Sequence, residues 1–434
     1  MDSPARPALD LSRRDLTLDL ARVTCVVFVI VVHLLQVGIG TDEQGALVTS
    51  RPAEDQPWFA AATWIGQIMP LFFVVGGFAA AAGWRSWTAR GGDATGFIRS
   101  RTLRLAQPAL PLFVFFAVVL SAATLLRLPS DLVDPAAVGA GTPLWFLAAY
   151  LLCQAGVPTL ARWHERAPRR TLVFLAVGVV VVDAARFGTG ITEIGLLNLL
   201  FVWPFAQQLG FWYHDGWFDR RHPLTLAGIA AGCYLLLWPL TAVGPYSANL
   251  LDDLNPPTVP LAVLAVAQAC LLRLAKPLLT QLMAVRAVRG IVFVLGSRLM
   301  TVYLWHLPVI LVLTGLTLLI PGAAPAPASP AWWWSRPIMF VAVVAVVLAL
   351  SLLLVRAERI GPLRPVPSSA IVAIAWTCAF LPPFAVMEWF LSLWVAVGGA
   401  VLLGIAVVLL RRGRRATAVV GGSGTARSSL GSEA

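Results

Sequence analysis

Charge is what this chain has least of. Only 12% of its 434 residues are Asp, Glu, Lys or Arg, against about 25% in an ordinary soluble domain. That is too little to clothe a soluble globule of this size, so a soluble enzyme is excluded. Cysteine is equally sparse. Cys25, Cys153, Cys233, Cys270 and Cys378 stand singly inside apolar segments, with no C-x-x-C pair, which argues against a disulfide framework or a structural zinc site. No His/Asp/Glu ligand cluster falls within the apolar segments, so no metal is expected. The chain also lacks a usable internal repeat and room for a further soluble catalytic domain. The first apolar segment is long and no small-residue processing site follows its core, so a cleavable signal peptide is not expected.

Apolar sequence is what it has in abundance, at 59% of residues. A crossing needs about 20 apolar residues plus a connection, which leaves room for about a dozen. Apolar runs between charged or Pro/Gly-rich breaks predict spans near 16–40, 58–84, 105–127, 143–161, 170–186, 194–213, 223–242, 257–275, 295–320, 336–356, 369–386 and 389–410. The run 291–320 is too long for one upright span, so its first turns are expected at the interface. The fold class is therefore all-α, a polytopic transmembrane helical bundle of about twelve helices.

The net charge of +11 would suggest nucleic acid in a soluble protein, but here its distribution gives another reason. The N-terminus carries Arg6, Arg13 and Arg14. Alternate connections then carry Arg85, Arg90, Arg99, Arg101 and Arg104; Arg162, Arg166, Arg169 and Arg170; Arg220 and Arg221; Arg273, Lys276, Arg286 and Arg289; and Arg356, Arg359 and Arg364. The intervening connections are acidic: Asp42, Glu43, Glu54 and Asp55; Asp131 and Asp134; Asp252 and Asp253; Glu388. Strict alternation, closed by basic Arg411, Arg412, Arg414 and Arg415, predicts both termini in the cytoplasm. The Gly/Ser-rich stretch after Gly413 is expected to be disordered. Trp332, Trp333 and Trp334 follow a Pro/Ala-rich loop (321–330) and are expected to anchor at the interface.

An ionisable residue at membrane depth costs several kcal/mol and is a functional candidate by default. The first span carries Arg22 and His33. Eleven residues at ~100° each turn ~1100°, within about 20° of three full turns, so both share one face about 16 Å apart. Asp19, three residues before Arg22, lies on the same side and is placed to fix its guanidinium. The bland alternative is that Arg22 snorkels and His33 makes an interhelical hydrogen bond. Arg101 and Arg104 face one way at the start of the third span, and guanidinium forks suit phosphate; for Arg99 the ordinary positive-inside role is favoured. Tyr303 and His306 share a face of the ninth span, just before Pro308, and serve equally well as a packing pair or a catalytic one. Gly76 and Gly77 permit close backbone approach. Gln67, Gln154, Asn198, Gln207, Gln208 and Gln268 are expected to be interhelical glue.

Together these residues resemble the acyltransferase-3 family of integral membrane acyltransferases. The first span is similar to its D-x-x-R opening (Asp19 to Arg22) and its Arg-x10-His motif (Arg22 to His33). Leu71-Phe-Phe-Val-Val-Gly-Gly-Phe78 resembles its F-F-x-x-S-G-F segment, with Gly76 in place of the usual Ser. Arg101-Thr-Leu-Arg104 with Pro108 resembles an R-x-x-R…P element, Leu144-Trp-Phe-Leu147 a Trp-Phe-Leu element, and Tyr303-Leu-Trp-His306 a late Tyr/His element. Arg356-Ala-Glu358 resembles the charged close of the last shared helix. The likeness covers ten helices and divides the chain into 1–15 (cytoplasmic segment), 16–365 (acyltransferase-like core), 366–410 (additional C-terminal hairpin) and 411–434 (basic tail).

The resemblance implies transfer of an acyl group, often acetyl from acetyl-CoA, to a hydroxyl of a carbohydrate, glycolipid or other cell-envelope acceptor. The cell is taken as bacterial and the location as its plasma membrane. No tightly bound cofactor is expected; acyl-CoA is the donor substrate. His33 is expected to be general base or transient acyl carrier, with Arg22, Tyr303 and His306 assisting, the latter two by orienting the donor or stabilising the oxyanion. Arg101, Arg104, Asp19 and Trp145 are expected to bind donor or acceptor. The rival reading is a multi-pass secondary transporter or glycan flippase without acyl-transfer chemistry.

Overall fold

A computed structural model describes residues 15–41, 47–358 and 368–412. Arg6, Arg13, Arg14, Asp42, Glu43, Arg359, Arg364, the stretch from Gly413 onward and the side chains of Arg356 and Glu358 lie outside the described residues. Among those described, twelve segments are long and apolar enough to cross a membrane. The chain is a multi-pass, all-helical membrane protein.

The chain begins with α1 (Leu16–Gln36), followed by an antiparallel hairpin of β1 (Gly38–Thr41) and β2 (Leu47–Ser50), Gly38 facing Ser50. Next come α2 (Phe59–Gly66) and α3 (Met69–Ala89), two halves of one interrupted span, and then the long α4 (Ala94–Leu125). A short α5 (Ser130–Gly141) leads through a tight turn at Thr142–Leu144 into α6 (Trp145–Arg166). After α7 (Pro168–Thr189), a 3₁₀ stretch at Thr192–Leu200 feeds α8 (Val202–His214). Then follow α9 (Pro223–Ala242), α10 (Val259–Ala284), α11 (Arg286–Ser297), α12 (Leu299–Leu318), α13 (Pro330–Glu358), α14 (Ser369–Trp389) and α15 (Leu393–Arg411).

Apolar length alone misplaces several ends. The first span stops at Gln36 rather than 40, because glycines at 38 and 40 favour the hairpin. A Cβ on Gly38 would lie 2.5 Å from Pro52. Conversely, α4 starts eleven residues before the expected 105, so Arg99, Arg101 and Arg104 are helical residues rather than loop charge. Asp93 makes this early start possible, its carboxylate accepting from the Gly96 N–H at 2.9 Å as an N-cap. The long run at 291–320 resolves into α11 and α12, which break at Arg298.

Close packing and polar stitching hold the bundle. A Cβ on Gly77 would come within 2.1 Å of the Gln207 carbonyl, and one on Gly210 within 2.1 Å of the Val74 carbonyl. These two glycines therefore let α3 and α8 touch backbone to backbone. The break between α2 and α3 would leave polar backbone bare at membrane depth, a cost of several kcal/mol per group. Gln67 covers it: its Nε2 donates to the Leu250 carbonyl, its Oε1 accepts from Met69 N, and its own carbonyl accepts from Gln268 Nε2 at 2.7 Å. Trp332 is not an interfacial anchor. It is fully buried, with the Arg336 guanidinium 4.3 Å above its ring; Trp334 is the exposed member of the trio.

The terminal hairpin, α14 and α15, packs on α4 and α6. Gly399 accommodates the Phe113 ring, and Gly141 the side chains of Val386 and Leu391. Arg99, for which topogenic charge was favoured, has another place. It is only 2% exposed, and its Nε donates at 2.7 Å to the Leu410 carbonyl in the last turn of α15. A guanidinium there meets the negative end of a helix dipole. Arg99→Leu is expected to lower stability by about 1.5–3 kcal/mol, the scale of a hydrogen bond to a charged donor, seen as a depressed thermal midpoint in detergent. An unchanged midpoint would contradict the latch.

Candidate active site

The face of α1 that carries Arg22 and His33 is continuous. Arg22 and Val26 line one cavity, Val29 and His33 a second. The steps of four, three and four residues keep all four side chains on one stripe, so a single helix serves both chambers.

The first cavity, about 210 Å³, is an arginine chamber. Arg22, Arg101 and Arg104 line it with Gln154, Tyr150, Phe146, Phe72 and Tyr303. No carboxylate is among its described lining residues. The Arg22 Nε is buried without a hydrogen-bond partner among the described residues. Arg101 is held from two sides. Its guanidinium lies 4.9 Å from the Phe97 ring centroid, and it occupies the space beside Gly83, where a Cβ would sit 2.2 Å from its Nη2. Phe146, Tyr150 and Gln154 reach the chamber from one stripe of α6. At Gly76, where the resemblance leads one to expect serine, a Cβ would lie 3.3 Å from the Tyr150 ring and 3.5 Å from its hydroxyl, so Tyr150 occupies the space beside the missing side chain.

The second cavity, about 50 Å³, contains His33, Trp145, Gly66, Gln67, Leu251 and Leu254. Tyr303 lines both chambers and forms the partition, with its ring 4.8 Å from that of Phe146. Its hydroxyl donates to the Pro143 carbonyl at 2.8 Å. That fixes the ring at the boundary and commits the O–H elsewhere than to a substrate.

His33 Nδ1 lies 2.9 Å from His306 Nε2, the rings stacked with centroids 5.0 Å apart. His306 Nδ1 bonds the carbonyl of Tyr303. A carbonyl only accepts, so His306 Nδ1 carries the proton, and in a neutral imidazole its Nε2 is then the acceptor. His33 must donate from Nδ1. Its Nε2 is left as a lone pair, in a residue that lines the second cavity.

From sequence, Tyr303 and His306 are expected to orient the donor or stabilise the oxyanion; in the structure Tyr303 lines both cavities, and His306 stands behind His33. His306 is fully buried, lines neither cavity, and its side-chain partner is His33. Trp145 stands in the second cavity, stacked on Trp203 at 5.4 Å, away from the arginines. Asp19 sits one turn before Arg22 and lines neither chamber. Phe146, Tyr150 and Gly83 were not anticipated as site residues. The first two could have been found from their four-residue spacing with Gln154; Gly83 carries no sequence signal of its role.

The acyltransferase-domain family model matches residues 15–356. The chain belongs to the acyltransferase-3 family. No curated protein and no solved structure matches it. Membership makes this integral membrane protein an acyltransferase rather than a carrier. The matched region contains both chambers of the acyltransferase and stops short of the α14–α15 hairpin.

Among the described residues, further ionisable clusters of the acyltransferase lie outside the chambers, and two of them tie elements of the bundle together. At the arginine end, Asp215 joins α3 to α6 by accepting from Arg85 Nη2 at 2.7 Å and His164 Nε2 at 3.0 Å. Against the upward push of burial, these partners hold its carboxyl below the ordinary range. At the other end, the intramembrane Asp183 was missed although it stands alone in an apolar run. It accepts from Asn198 Nδ2, Tyr246 O–H and Val259 N–H at 2.8–2.9 Å. It thereby pins the loop whose Leu251 and Leu254 wall the His33 cavity.

In that loop, burial pushes the Asp253 carboxyl from 3.8 up to about 7, aided by Asp183 and Asp252 and opposed by Thr258 and Arg186. Between these values the folded protein holds a proton that the unfolded chain has released. Stability from this group is therefore complete below pH 3.8 and is lost as pH rises through about 7. Asp253→Asn is expected to remove that slope and to raise the thermal midpoint at pH 8 relative to wild type. Midpoint curves that superimpose from pH 5 to 8 would contradict it.

Proposed function

We propose that the enzyme is an O-acyltransferase that moves an acyl group, acetyl in the simplest case, from acyl-CoA to a hydroxyl of a carbohydrate, glycolipid or other envelope acceptor. The observation that carries the reading is an arginine chamber with no carboxylate among its described lining residues, which shares Tyr303 with a second chamber lined by His33. Three guanidiniums suit the phosphates of a CoA donor. The chamber is smaller than the ~300–1,000 Å³ of a typical ligand site, so it takes part of the donor, with the remainder in the aqueous phase. The alternating loop charges support the arginine end, and both termini, in the cytoplasm, where acyl-CoA is made. The setting is a cell membrane, in keeping with a bacterial plasma membrane.

In this reading the pantetheine arm passes Tyr303 and presents the thioester to the second chamber. His33 Nε2 takes the proton from the acceptor hydroxyl as its oxygen attacks the thioester carbonyl. The C–O bond forms, the C–S bond breaks, and the CoA sulfur leaves with the proton returned by the imidazolium. Throughout, His33 Nδ1–H remains on His306 Nε2, and that hydrogen bond strengthens when His33 becomes cationic. The same Nε2 is the nucleophile in a two-step route through an acyl-histidine. Donor consumption in a single turnover without acceptor separates the two.

His33→Ala is expected to reduce acyl transfer by about 10²–10⁴-fold, the usual contribution of a general base, with acetyl-CoA affinity unchanged. His306→Gln is expected to lower kcat with little change in donor KM, since the residue touches no substrate. Transfer at the wild-type rate by purified His33→Ala would contradict the assignment. Arg101→Ala and Arg104→Ala are each expected to weaken acetyl-CoA binding about 10- to 100-fold, from the loss of a charged hydrogen bond worth about 1.5–3 kcal/mol. Gly83→Ala, which displaces the Arg101 guanidinium without removing it, is expected to weaken binding in the same direction. Wild-type donor affinity in all three, by calorimetry on purified protein, would return these arginines to a topogenic role.

A further inference from the structure

The His33 chamber is too small for an acceptor. At about 50 Å³ it has room for a hydroxyl-bearing end, and the rest of that molecule must lie elsewhere. A groove of about 890 Å³ lies alongside, bounded by Ala61, Trp64 and Ile65 of α2, Tyr234 and Trp238 of α9, and Leu271 of α10. The eight-residue α2 is the wall between the two spaces. Its outward stripe faces the groove, while Gly66 and the following Gln67 line the His33 chamber. A Cβ on Gly66 would meet nothing within 4 Å, so the end of the wall is open.

The groove has the chemistry of a hydrocarbon site. No charged side chain is among its described lining residues. The polar atoms of its aromatic walls are already engaged: Trp64 Nε1 donates to the Ala248 carbonyl at 3.0 Å, and Tyr234 O–H to the Trp64 carbonyl at 3.3 Å. Neither of these donors is free for a sugar or phosphate oxygen. Ile65 and Trp238 are 74% and 67% exposed, on membrane-spanning segments, so the groove opens sideways to lipid and is continuous with the bilayer face of the protein. Small residues on α2, Ala60 and Ala61, give it depth.

We propose that this groove holds the hydrocarbon chain of a lipid-linked acceptor, whose hydroxyl-bearing headgroup passes the end of α2 to reach His33. The proposal rests on the acyl-transfer reading and specifies its acceptor as a molecule that arrives through the bilayer. The chain supplies affinity through apolar burial, at about 0.8 kcal/mol per buried CH₂. The small chamber selects the hydroxyl.

The test uses the full-length protein in phosphatidylcholine nanodiscs and a hexadecyl glucoside carrying a diazirine in its alkyl chain. Photolabelling is expected to concentrate on the peptides containing Ala61–Ile65 and Tyr234–Trp238. Excess unlabelled hexadecyl glucoside is expected to suppress it, and octyl glucoside is not. Ala61→Trp and Leu271→Trp fill the groove from opposite walls at exposed positions. Each is expected to reduce labelling at least tenfold while leaving acetyl-CoA binding and the thermal midpoint at wild-type values. Label spread evenly over lipid-facing helices, or groove label that neither substitution diminishes, identifies annular lipid and overturns the proposal. Failure of the wild-type protein to bind acetyl-CoA would overturn the donor reading instead, and the labelling pattern still decides the groove.

Discussion

Everything at the centre of this protein depends on one hydrogen bond, between His33 Nδ1 and His306 Nε2 at 2.9 Å. Its direction is fixed from behind, because the Tyr303 carbonyl can only accept from His306 Nδ1. That chain of constraint leaves His33 Nε2 with a lone pair, in a residue that lines the second chamber. An unpaired imidazole at membrane depth would be a liability. Held in one tautomer by a sealed partner, it has the form that the proposed proton transfer requires.

The rest of the bundle fixes where His33 stands relative to the arginines. One stripe of α1 carries Arg22, Val26, Val29 and His33, so the separation of the chambers is a helical repeat rather than the outcome of loop geometry. Tyr303 marks the boundary and is tethered by its hydroxyl to the Pro143 carbonyl. The turn that presents this carbonyl leads straight into α6, which brings Phe146, Tyr150 and Gln154 to the arginine chamber. The terminal hairpin packs against α4 and α6, and Arg99 joins its last turn to the helix bearing Arg101 and Arg104. Beyond the matched family region, it therefore packs on both helices that wall the arginine chamber.

Sequence alone revealed what is periodic or costly. Twelve spans, the shared face of Arg22 and His33, and the backbone contact at Gly77 follow from hydropathy, helical rotation and the absence of a side chain. The expense of polar groups in lipid pointed to Gln67 and Gln268. What it could not reveal depends on partners distant in the chain. Arg99 has the composition of ordinary loop charge, and only the arrival of α15, some three hundred residues later, turns it into a cap. His306 has the look of a substrate contact until its burial behind His33 is seen. Trp332 belongs to a triplet whose members face different surroundings, which composition cannot distinguish. Asp183 was legible by the same rule that selected His33 and was passed over.

The central claim is that one donor molecule spans the two chambers past Tyr303. The most direct measurement is a cryo-electron microscopy structure of the protein in nanodiscs with a non-hydrolysable thioether analogue of acetyl-CoA. The account predicts its phosphates within hydrogen-bond reach of Arg22, Arg101 and Arg104, its sulfur beside the Tyr303 ring, and its acyl end facing His33 Nε2. Phosphates bound away from those guanidiniums, or an acyl end that stays on the arginine side of a closed Tyr303 partition, would contradict it.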